Sequence, residues 1–346
     1  MSKVACRFGT HRVISPENAL PQNALRVDNS LPIHENEILI DVDTLNIDAA
    51  SFRQMKEACG GDIEGVKNMI LGIVKERGKQ QNPVTGSGGM LLGTVKEIGP
   101  KYPNPTGLKV GDKIASLVSL SLTPLYIEKI LEVFPTRDQV KIKGHAVLFE
   151  SGILAKIPDD MPETLALAVL DVAGAPAQTQ RLVKPGHTVV IIGGGGKSGT
   201  LCCAKAREIL GKTGKLIVIE PFERSAKRLE SLGYCDEILQ INATNPVEVM
   251  KHISGLTNGQ MADLVINVAN VDNTEMASIM SCKNSGTVYF FSMATSFTKA
   301  ALGAEGIASD ALLIIGNGYA PGHDKIALDV LRQDTKLRKL FEEHYT

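Results

Sequence analysis

The fold is decided by the stretch Val189-Val190-Ile191-Ile192-Gly193-Gly194-Gly195-Gly196-Lys197-Ser198-Gly199-Thr200. An apolar run typical of a buried strand ends abruptly in glycines, and a helical pattern follows from Leu201. Gly194, Gly196 and Gly199 have the spacing G-x-G-x-x-G of dinucleotide-binding loops. In such loops the first glycine permits a tight turn and the second lets the backbone approach a pyrophosphate. The third lets the helix pack closely on the strand.

The same residues contain Gly196-Lys197-Ser198, which could end the triphosphate-binding loop G-x-x-x-x-G-K-[ST]. That motif requires a glycine five positions before Gly196, where Ile191 stands within the strand. The spacing therefore excludes this loop for ATP or GTP. Lys197 and Ser198 are interpreted instead as pyrophosphate-binding residues, because a helix start presents free N–H groups and a positive dipole to an anion.

A second apolar strand follows the helix and ends in Glu220. An acid about 20 residues after such a loop binds the adenosine ribose hydroxyls. The alternative is a solvated strand end, but the order strand, loop, helix, strand and acid favours the ribose role. Because a carboxylate disfavours the extra phosphate of NADP, the sequence predicts NAD as cofactor, with NADP less favoured. Arg224 follows closely and could instead bind such a phosphate.

The composition limits the classes of protein that this chain can belong to. Its 346 residues are enough for two domains, and Lys plus Arg (37) nearly balance Asp plus Glu (38). The balance predicts no nucleic-acid or anionic membrane partner, and no apolar stretch is long enough to cross a bilayer. The six cysteines lack C-x-x-C spacing. They are expected to be buried, reduced thiols of a cytoplasmic protein rather than disulfides or a zinc site.

The pattern along the chain predicts an α/β protein of two domains. Residues 1–160 read as short strands and turns, interrupted by one helix that Asp62 caps and Gly78 ends. Residues 161–324 alternate strands with helices, which is typical of a doubly wound parallel sheet, the Rossmann arrangement. Residues 325–346 are predicted to form a helix that returns to the first domain. The predicted strands of the second domain are Thr188–Ile192, Leu216–Glu220, Glu237–Ile241, Asp263–Val268, Gly286–Phe291 and Leu312–Ile315.

Further cofactor contacts are expected where the fourth and fifth of these strands end. Asn267 and Val268 close the fourth strand, and Ser292 and Met293 follow the fifth. The carboxyl ends of the strands line the ligand crevice in doubly wound sheets. These four residues are therefore predicted to lie beside the nicotinamide.

The order of the two domains resembles the medium-chain dehydrogenase/reductase superfamily. The segments that carry this resemblance are the glycine-anchored strand Gly93–Gly99, the turn Val110–Ile114 and the entry Val183–Val190. The resemblance implies a GroES-like, β-rich catalytic domain before the Rossmann domain. More specifically, the chain resembles the L-erythro-3,5-diaminohexanoate dehydrogenase family. The long, unusual strings that carry this closer resemblance are Phe8–Val13, Gln81–Met90, Phe149–Gly152 and Ile315–Tyr319.

This closer resemblance implies NAD-linked oxidative deamination of a diamino acid in lysine fermentation. The product would be 5-amino-3-oxohexanoate, with release of ammonia. The chain departs from the zinc alcohol dehydrogenases, because Gly89 and Met90 stand where those enzymes carry a His-Glu pair. No cysteine stands near Ile47 or Asp48, or between residues 168 and 171, where their other ligands fall. We therefore expect a site without metal.

Five residues are candidates for the catalytic chemistry. Asp48 and Ser51 lie where the zinc enzymes keep a ligand and a proton-relay hydroxyl, although Asp48 could simply cap a turn. Asp171 is a lone acid in an apolar run, which places it either at the surface or near the nicotinamide. Glu150 is a third acid, on a turn. Thr85 could help to bind the substrate carboxylate or the nicotinamide ribose, or belong to a plain tight turn.

Two other functions remain open at this point. One is a zinc-free NADPH quinone or enoyl reductase of the same superfamily, which Glu220 and the candidate acids disfavour. The other is a non-catalytic dinucleotide-binding module. Leu312–Ile315 is expected to form an edge strand, and pairing of two such edges would give a homodimer.

Overall fold

The computed structural model describes residues 5–316 and 318–345. The chain separates into two compact units, residues 1–163 and 164–346, each with its own hydrophobic core. Asn317, within one of the strings that carry the closer resemblance, lies outside the described residues.

The first unit is built on an antiparallel sheet. A 3-10 turn at Thr10–Arg12 precedes a small ribbon of β1 (Val13–Ser15) and β2 (Arg26–Val27). The main sheet has the order β6-β7-β3-β4-β5-β8. Its strands are β3 (Ile38–Asn46), β4 (Met90–Ile98), β5 (Lys113–Ser116), β6 (Leu125–Phe134), β7 (Gln139–Leu148) and β8 (Leu154–Lys156).

Two helices, α1 (Ala49–Ala58) and α2 (Ile63–Arg77), connect β3 to β4. Helix α2 confirms its prediction, with Asp62 as N-cap and Gly78 as a left-handed C-cap at φ 69°. Helix α1 was not predicted, because half of its residues are polar and it offers only a short apolar face. Phe52 and Met55 form that face and are buried.

The second unit confirms the doubly wound parallel sheet. Its strand order is β11-β10-β9-β12-β13-β14, so the order reverses between β9 and β12, where ligands bind in this architecture. The strands are β9 (Thr188–Ile192), β10 (Lys215–Ile219), β11 (Glu237–Leu239), β12 (Ala262–Asn267), β13 (Cys282–Phe290) and β14 (Leu312–Ile315). The helices are α3 (Glu163–Leu170), α4 (Gly174–Leu182), α5 (Lys197–Leu210), α6 (Glu223–Leu232), α7 (Pro246–Leu256), α8 (Glu275–Met280), α9 (Phe297–Gly306), α10 (His323–Gln333) and α11 (Thr335–Tyr345).

The last part of the chain differs from its prediction in two ways. Residues 325–346 were expected to form one helix, but Asp334 has an extended backbone and separates α10 from α11. The Asp334 side chain accepts from the N–H groups of Lys336 and Leu337, as an N-cap does. These residues were also expected to join the first domain, whereas they group with the second unit. Helix α10 packs on α4 and α5, and the Tyr234 hydroxyl donates to Asp334.

All six cysteines lie in the described ranges and carry free thiols. Cys202, Cys203 and Cys282 are buried, as predicted. Cys6 is exposed, so the prediction of burial is wrong for that residue. None of the helices in the described part of the chain combines the length and the apolarity that a membrane span requires.

Candidate active site

The glycine loop, residues 193–199, joins β9 to α5, and its glycines meet different steric constraints. Gly193 has a positive φ of 85°, so the tight turn falls there and not at Gly194 as predicted. A Cβ on Gly194 would lie 2.3 Å from the Val218 side chain, and one on Gly199 would lie 2.3 Å from the Gly193 carbonyl. A Cβ on Gly196 would find no protein atom closer than 3.7 Å. Gly196 therefore leaves open space in front of the helix.

That space is a cavity of about 500 Å³ at the start of α5. Gly196 is the N-cap and provides no side-chain cap. The first N–H groups of α5, from Lys197 to Gly199, have no carbonyl acceptor within the helix. Gly196, Lys197, Ser198 and Gly199 all line the cavity. Free N–H groups and the helix dipole make this an anion-binding position, as a dinucleotide pyrophosphate requires.

Glu220 directly follows β10 and lines the same cavity. Its carboxylate is buried and accepts hydrogen bonds from the N–H groups of Gly195 (2.9 Å) and Phe222 (3.2 Å). Each carboxylate oxygen accepts more than one hydrogen bond. Glu220 can therefore stay bound to the loop and still accept from ribose hydroxyls, as its sequence position predicts.

Helix α6 provides cavity residues that the sequence reading missed. Arg224 is exposed and is not among the described lining residues, whereas Ser225 and Arg228 both line the cavity. Arg228 Nη2 donates to the Gly195 carbonyl (3.3 Å) and to Ser225 Oγ (2.9 Å). Helical periodicity alone could not have found them, because Arg228 shares a face with Arg224, four residues before it, as well as with Ser225, three residues before it.

Asp171 lies beside the phosphate-binding end of α5. Lys197 Nζ donates to Asp171 Oδ2 at 2.5 Å. The Asp171 side chain is 42% exposed, so it takes the surface position that was one of its two alternatives. The structure therefore places Asp171 as the ion-pair partner of a cavity-lining lysine.

The residues expected beside the nicotinamide divide into two kinds. Val268 lines the cavity. Asn267 is fully buried, and its amide donates to Thr274 Oγ1 (2.8 Å) and to Ser278 Oγ, so this side chain holds α8 against β12. Ser292 Oγ accepts from the Ala294 N–H. Met293 is 88% exposed, and like Asn267 and Ser292 it is absent from the described lining residues of the cavity.

In the first unit, Asp48 takes the capping role that was its alternative reading. Its Oδ1 accepts from the Ser51 N–H at the start of α1 (3.0 Å). Its Oδ2 is buried, and no partner for it occurs among the described residues. A buried, unsatisfied carboxylate oxygen is costly to leave unpaired. Asp48 therefore combines an observed structural role with one oxygen that is free to bind a cation or a donor.

Ser51 and Thr85 meet at the same helix start. Their hydroxyl oxygens lie 2.5 Å apart, with Ser51 buried and Thr85 exposed. Asn82, which the sequence reading missed, joins the two segments. Its Nδ2 donates to Gln54 Oε1 (2.8 Å) on α1, and its Oδ1 accepts from the Val84 N–H (2.8 Å). We call Asp48, Ser51, Asn82 and Thr85 the hydroxyl cluster. Its paired hydroxyls can pass a proton between buried and exposed positions.

Asp138 is a second acid close to this cluster. Its carbonyl accepts from the Ile47 N–H at 3.0 Å. Burial raises the pKa of Asp138, and the nearby negative charge of Asp48 raises it further. An acid whose pKa is raised in this way is suited to hold a proton beside the cluster.

Glu150 does not join the hydroxyl cluster. It accepts from Asn36 Nδ2 (3.1 Å), and Arg7 Nε lies 3.9 Å from it. Asn36 precedes β3 and Asp48 follows it. Nine residues of extended strand separate their ends by about 30 Å. Glu150 therefore cannot act with Asp48 at one reacting centre.

Three possible metal ligands, His11, His34 and Glu37, lie within 4.8 Å of one another at that same far end of β3. Both oxygens of Glu37 are already bonded by the Arg12 guanidinium, each at 2.7 Å. His11 Nε2 and the His34 N–H also lie 2.7 Å from this carboxylate. Because a dication would have to bind beside a fixed guanidinium charge, we interpret this group as a structural ion-pair network.

The comparison with solved structures concerns the fold. A quinone oxidoreductase from Pseudomonas syringae pv. Tomato DC3000 is similar, with a TM-score of 0.54 and 17% identity over 91% of this chain and 86% of that one. This similarity confirms the fold class, a β-rich first domain followed by a doubly wound parallel sheet.

Comparisons of sequence identify the family. Residues 11–158 match the model of the L-erythro-3,5-diaminohexanoate dehydrogenase N-terminal domain. A relative from Acetoanaerobium sticklandii, named L-erythro-3,5-diaminohexanoate dehydrogenase, is 55% identical over 98% of this chain and 99% of its own. One from Fusobacterium nucleatum subsp. nucleatum has the same name and is 52% identical over 99% of both chains. This chain therefore belongs to the L-erythro-3,5-diaminohexanoate dehydrogenase family, and it is a dehydrogenase.

Proposed function

We propose that the chain catalyses NAD-dependent oxidative deamination of L-erythro-3,5-diaminohexanoate, in the context of lysine fermentation. Hydride leaves C3 of the substrate, and the products are 5-amino-3-oxohexanoate and ammonia. Family membership supports the substrate. The observation that carries the cofactor assignment is the buried Glu220 carboxylate, which faces the glycine loop in a cavity of about 500 Å³.

The residues that line the cavity of the second unit support this cofactor. The N–H groups at the start of α5, with Lys197 and Ser198, would hold the pyrophosphate. Glu220 would hold the adenosine ribose, and its charge opposes the additional phosphate of NADP. Bound NAD supplies the acceptor for the hydride from C3. A nicotinamide dinucleotide is implied by the fold and the family, and the preference for NAD over NADP is the part that Glu220 supports.

The substrate amine must lose a proton before its carbon can release hydride. We assign this step to the hydroxyl cluster, where the free Oδ2 of Asp48 can hold the substrate ammonium and accept its proton. The Ser51–Thr85 hydroxyl pair can then carry the proton towards solvent. After hydride transfer the substrate is an iminium ion. Addition of water and departure of ammonia give the ketone, and these steps need a base and then an acid.

The chemistry proposed for the first unit needs no Lewis acid, because an iminium ion is itself a strong electrophile. The residues at the positions of the zinc ligands agree with this. Gly89 has a positive φ of 99°, and a Cβ added to it would lie 2.1 Å from the Asn46 carbonyl. Met90 is buried. Neither residue offers a ligand that zinc prefers.

The proposal is tested with substrate that carries deuterium at C3. We expect one deuteride in the reduced cofactor for each ammonia released, and a higher kcat/KM with NAD than with NADP. Gly196→Val should weaken NAD binding by about 100-fold or more, because the new side chain fills the pyrophosphate position, and the melting temperature should change little.

Other results would favour the other functions. Reduction of a quinone or an enoyl thioester by NADPH, without turnover of the diamino acid, would support the reductase. Dinucleotide binding without turnover of any of these compounds would support a non-catalytic module.

We also propose that the protein is a homodimer joined through β14. This strand lies at the edge of the second sheet, and Leu312 on it is 61% exposed. Sedimentation should give twice the mass of the chain. Leu312→Glu should give the monomer, whereas Leu302→Glu, at a similarly exposed position on α9, should not change the mass. A monomeric wild-type protein would contradict this proposal.

A further inference from the structure

Arg228 occupies an unusual position in the dinucleotide cavity. The Gly195 peptide unit is bonded on both sides, since Glu220 accepts from its N–H (2.9 Å) and Arg228 donates to its carbonyl (3.3 Å). Ser225 accepts a second bond from the same Arg228 nitrogen, at 2.9 Å. A carboxylate and a guanidinium therefore hold one glycine of the loop from opposite sides.

One donor of this guanidinium has no acceptor. Arg228 Nε is buried, and no hydrogen-bond partner for it occurs among the described residues. A buried charged donor without an acceptor is expensive, and native proteins retain one mainly where a ligand or an ordered water satisfies it. Because Arg228 lines the dinucleotide cavity, a bound ligand is the natural source of that acceptor.

A residue of α11 lies next to the same guanidinium. The Tyr345 side chain, on α11, lies beside Arg228, and it is close enough to Glu220 for both charges to act on its hydroxyl. Tyr345 also packs on Phe341, with ring centroids 4.9 Å apart. Helix α11 therefore comes close, through one side chain, to an arginine that lines the cavity.

We propose that Arg228 binds an uncharged oxygen or nitrogen acceptor on the adenosine half of the dinucleotide, and that Tyr345 is the residue that positions its guanidinium. This inference rests on the proposed dinucleotide function of the cavity. An uncharged acceptor is favoured over the 2′-phosphate of NADP because the Glu220 carboxylate binds the same glycine and repels a dianion.

The experiment compares three probes by calorimetry: NAD, ADP-ribose and nicotinamide mononucleotide. Arg228→Met should weaken the binding of NAD and of ADP-ribose by about 10-fold or more, as expected for a lost hydrogen bond to a charged group. Nicotinamide mononucleotide, which lacks the adenosine half, should bind unchanged. Arg228→Lys should not restore affinity, because a lysine has no Nε donor at that position. Tyr345→Phe should weaken the binding of the same two probes, by about 3-fold, and leave that of nicotinamide mononucleotide unchanged. Lys227→Met, at an exposed position of the same helix, is the control.

Each other outcome overturns the inference in a distinct way. Equal weakening of all three probes would mean that Arg228 only stabilises the fold. A larger loss for NADP than for NAD in Arg228→Met would assign the residue to the 2′-phosphate. A loss in Arg224→Met instead would restore the assignment made from the sequence. If the wild-type protein binds neither NAD nor ADP-ribose, the proposed function itself is wrong. If it binds both, and Arg228→Met binds them with the same affinity, only the proposed role of Arg228 is wrong.

Discussion

The glycine loop and the hydroxyl cluster are two polar sites that the chain builds in opposite ways. The residues around the glycine loop, from Gly193 to Arg228, follow one another through one helix, one strand and part of a second helix. The hydroxyl cluster joins the end of β3 to a segment that starts about 30 residues later, and Asn82 makes the joining hydrogen bonds.

This difference decides how each site can be disturbed. In the glycine loop the backbone itself is the binding surface, so added side-chain volume is the damaging change. In the hydroxyl cluster the side chains provide the chemistry, so an isosteric change of one atom is enough. Substitutions at each site should therefore separate the role of the backbone from that of the side chains.

The largest effect is expected from Gly199→Val. The new Cβ would lie 2.3 Å from the Gly193 carbonyl and 2.5 Å from Gly194 Cα. Backbone atoms cannot rotate away, so α5 must shift from β9. We expect a loss of about 5 kcal/mol in the free energy of unfolding, at the severe end for a single substitution, measured by denaturant titration.

Gly255→Ala is the matched control for added volume. Gly255 lies in α7, and a Cβ there would meet nothing within 4 Å. Alanine should stabilise this helix by up to about 1 kcal/mol, because glycine is the poorer helix former. Equal losses in the two variants would contradict the role of close packing at Gly199.

Glu37→Gln tests which acids of the first unit are structural. Burial opposes the charge of Glu37, but the Arg12 guanidinium, His11 and the His34 N–H outweigh it and lower the pKa to about 2. Removing one member of a buried ion pair costs about 3 kcal/mol or more. Because the pKa is depressed in the folded protein, this contribution is present above the ordinary value of 4.5 and is lost as the pH falls towards 2.

The measurement is the free energy of unfolding of both proteins between pH 2 and pH 7. The difference between wild type and Glu37→Gln should shrink below about pH 4.5. Glu97→Gln, at an exposed position on β4, should differ from wild type by no more than about 0.5 kcal/mol. A difference that stays constant with pH would argue against an ionised Glu37.

The same contrast explains how much the sequence could predict. The second unit was predictable because most of its strands are short apolar runs, such as β9 and β10, and because its glycine loop has a known spacing. Helix α2 was predictable from its cap and its apolar stripe. Helix α1 was missed because half of its side chains are polar, and because the residue that caps it, Asp48, was interpreted first as a functional acid.

The site residues follow the same rule. Glu220 could be placed from its distance along the chain, whereas Arg228 required knowing which face of α6 meets the glycine loop. Glu150 looked equivalent to Asp48 as an acid on a turn, but only the pairing of strands shows that β3 separates them. Asn82 joins two segments by side-chain hydrogen bonds, which no local pattern encodes.

Asp48→Asn separates capping from catalysis. Asparagine caps helices about as well as aspartate, so stability should change by only a few tenths of a kcal/mol, about the difference between good caps. It cannot accept a proton from the substrate ammonium, so kcat/KM should fall by about 100-fold. Asp62→Asn, at the N-cap of α2, should leave kcat/KM unchanged. If both variants keep full activity, the unpaired Oδ2 of Asp48 has no catalytic part.

The smallest effect concerns Lys79, which begins the segment that carries Asn82 and Thr85. Lys79 is fully buried, and its ammonium group donates to the Pro21 carbonyl at 2.6 Å. Burial, with a further contribution from the charge of Arg77, lowers its pKa from 10.5 to about 8. The unfolded chain therefore binds more protons than the folded protein between these two values. Stability should rise with pH across this window, by up to about 1 kcal/mol per pH unit.

Lys79→Met should remove this slope, whereas Lys75→Met, at an exposed position of α2, should retain it. The measurement is the free energy of unfolding from pH 7.5 to pH 10.5. If the slope disappears and kcat/KM at pH 7.5 is retained, this buried cation anchors the segment while the hydroxyl cluster performs its chemistry. If Lys79→Met also lowers kcat/KM as strongly as Asp48→Asn does, the backbone position of the segment limits the reaction. The contrast between a backbone site and a side-chain site would then not hold for the first unit.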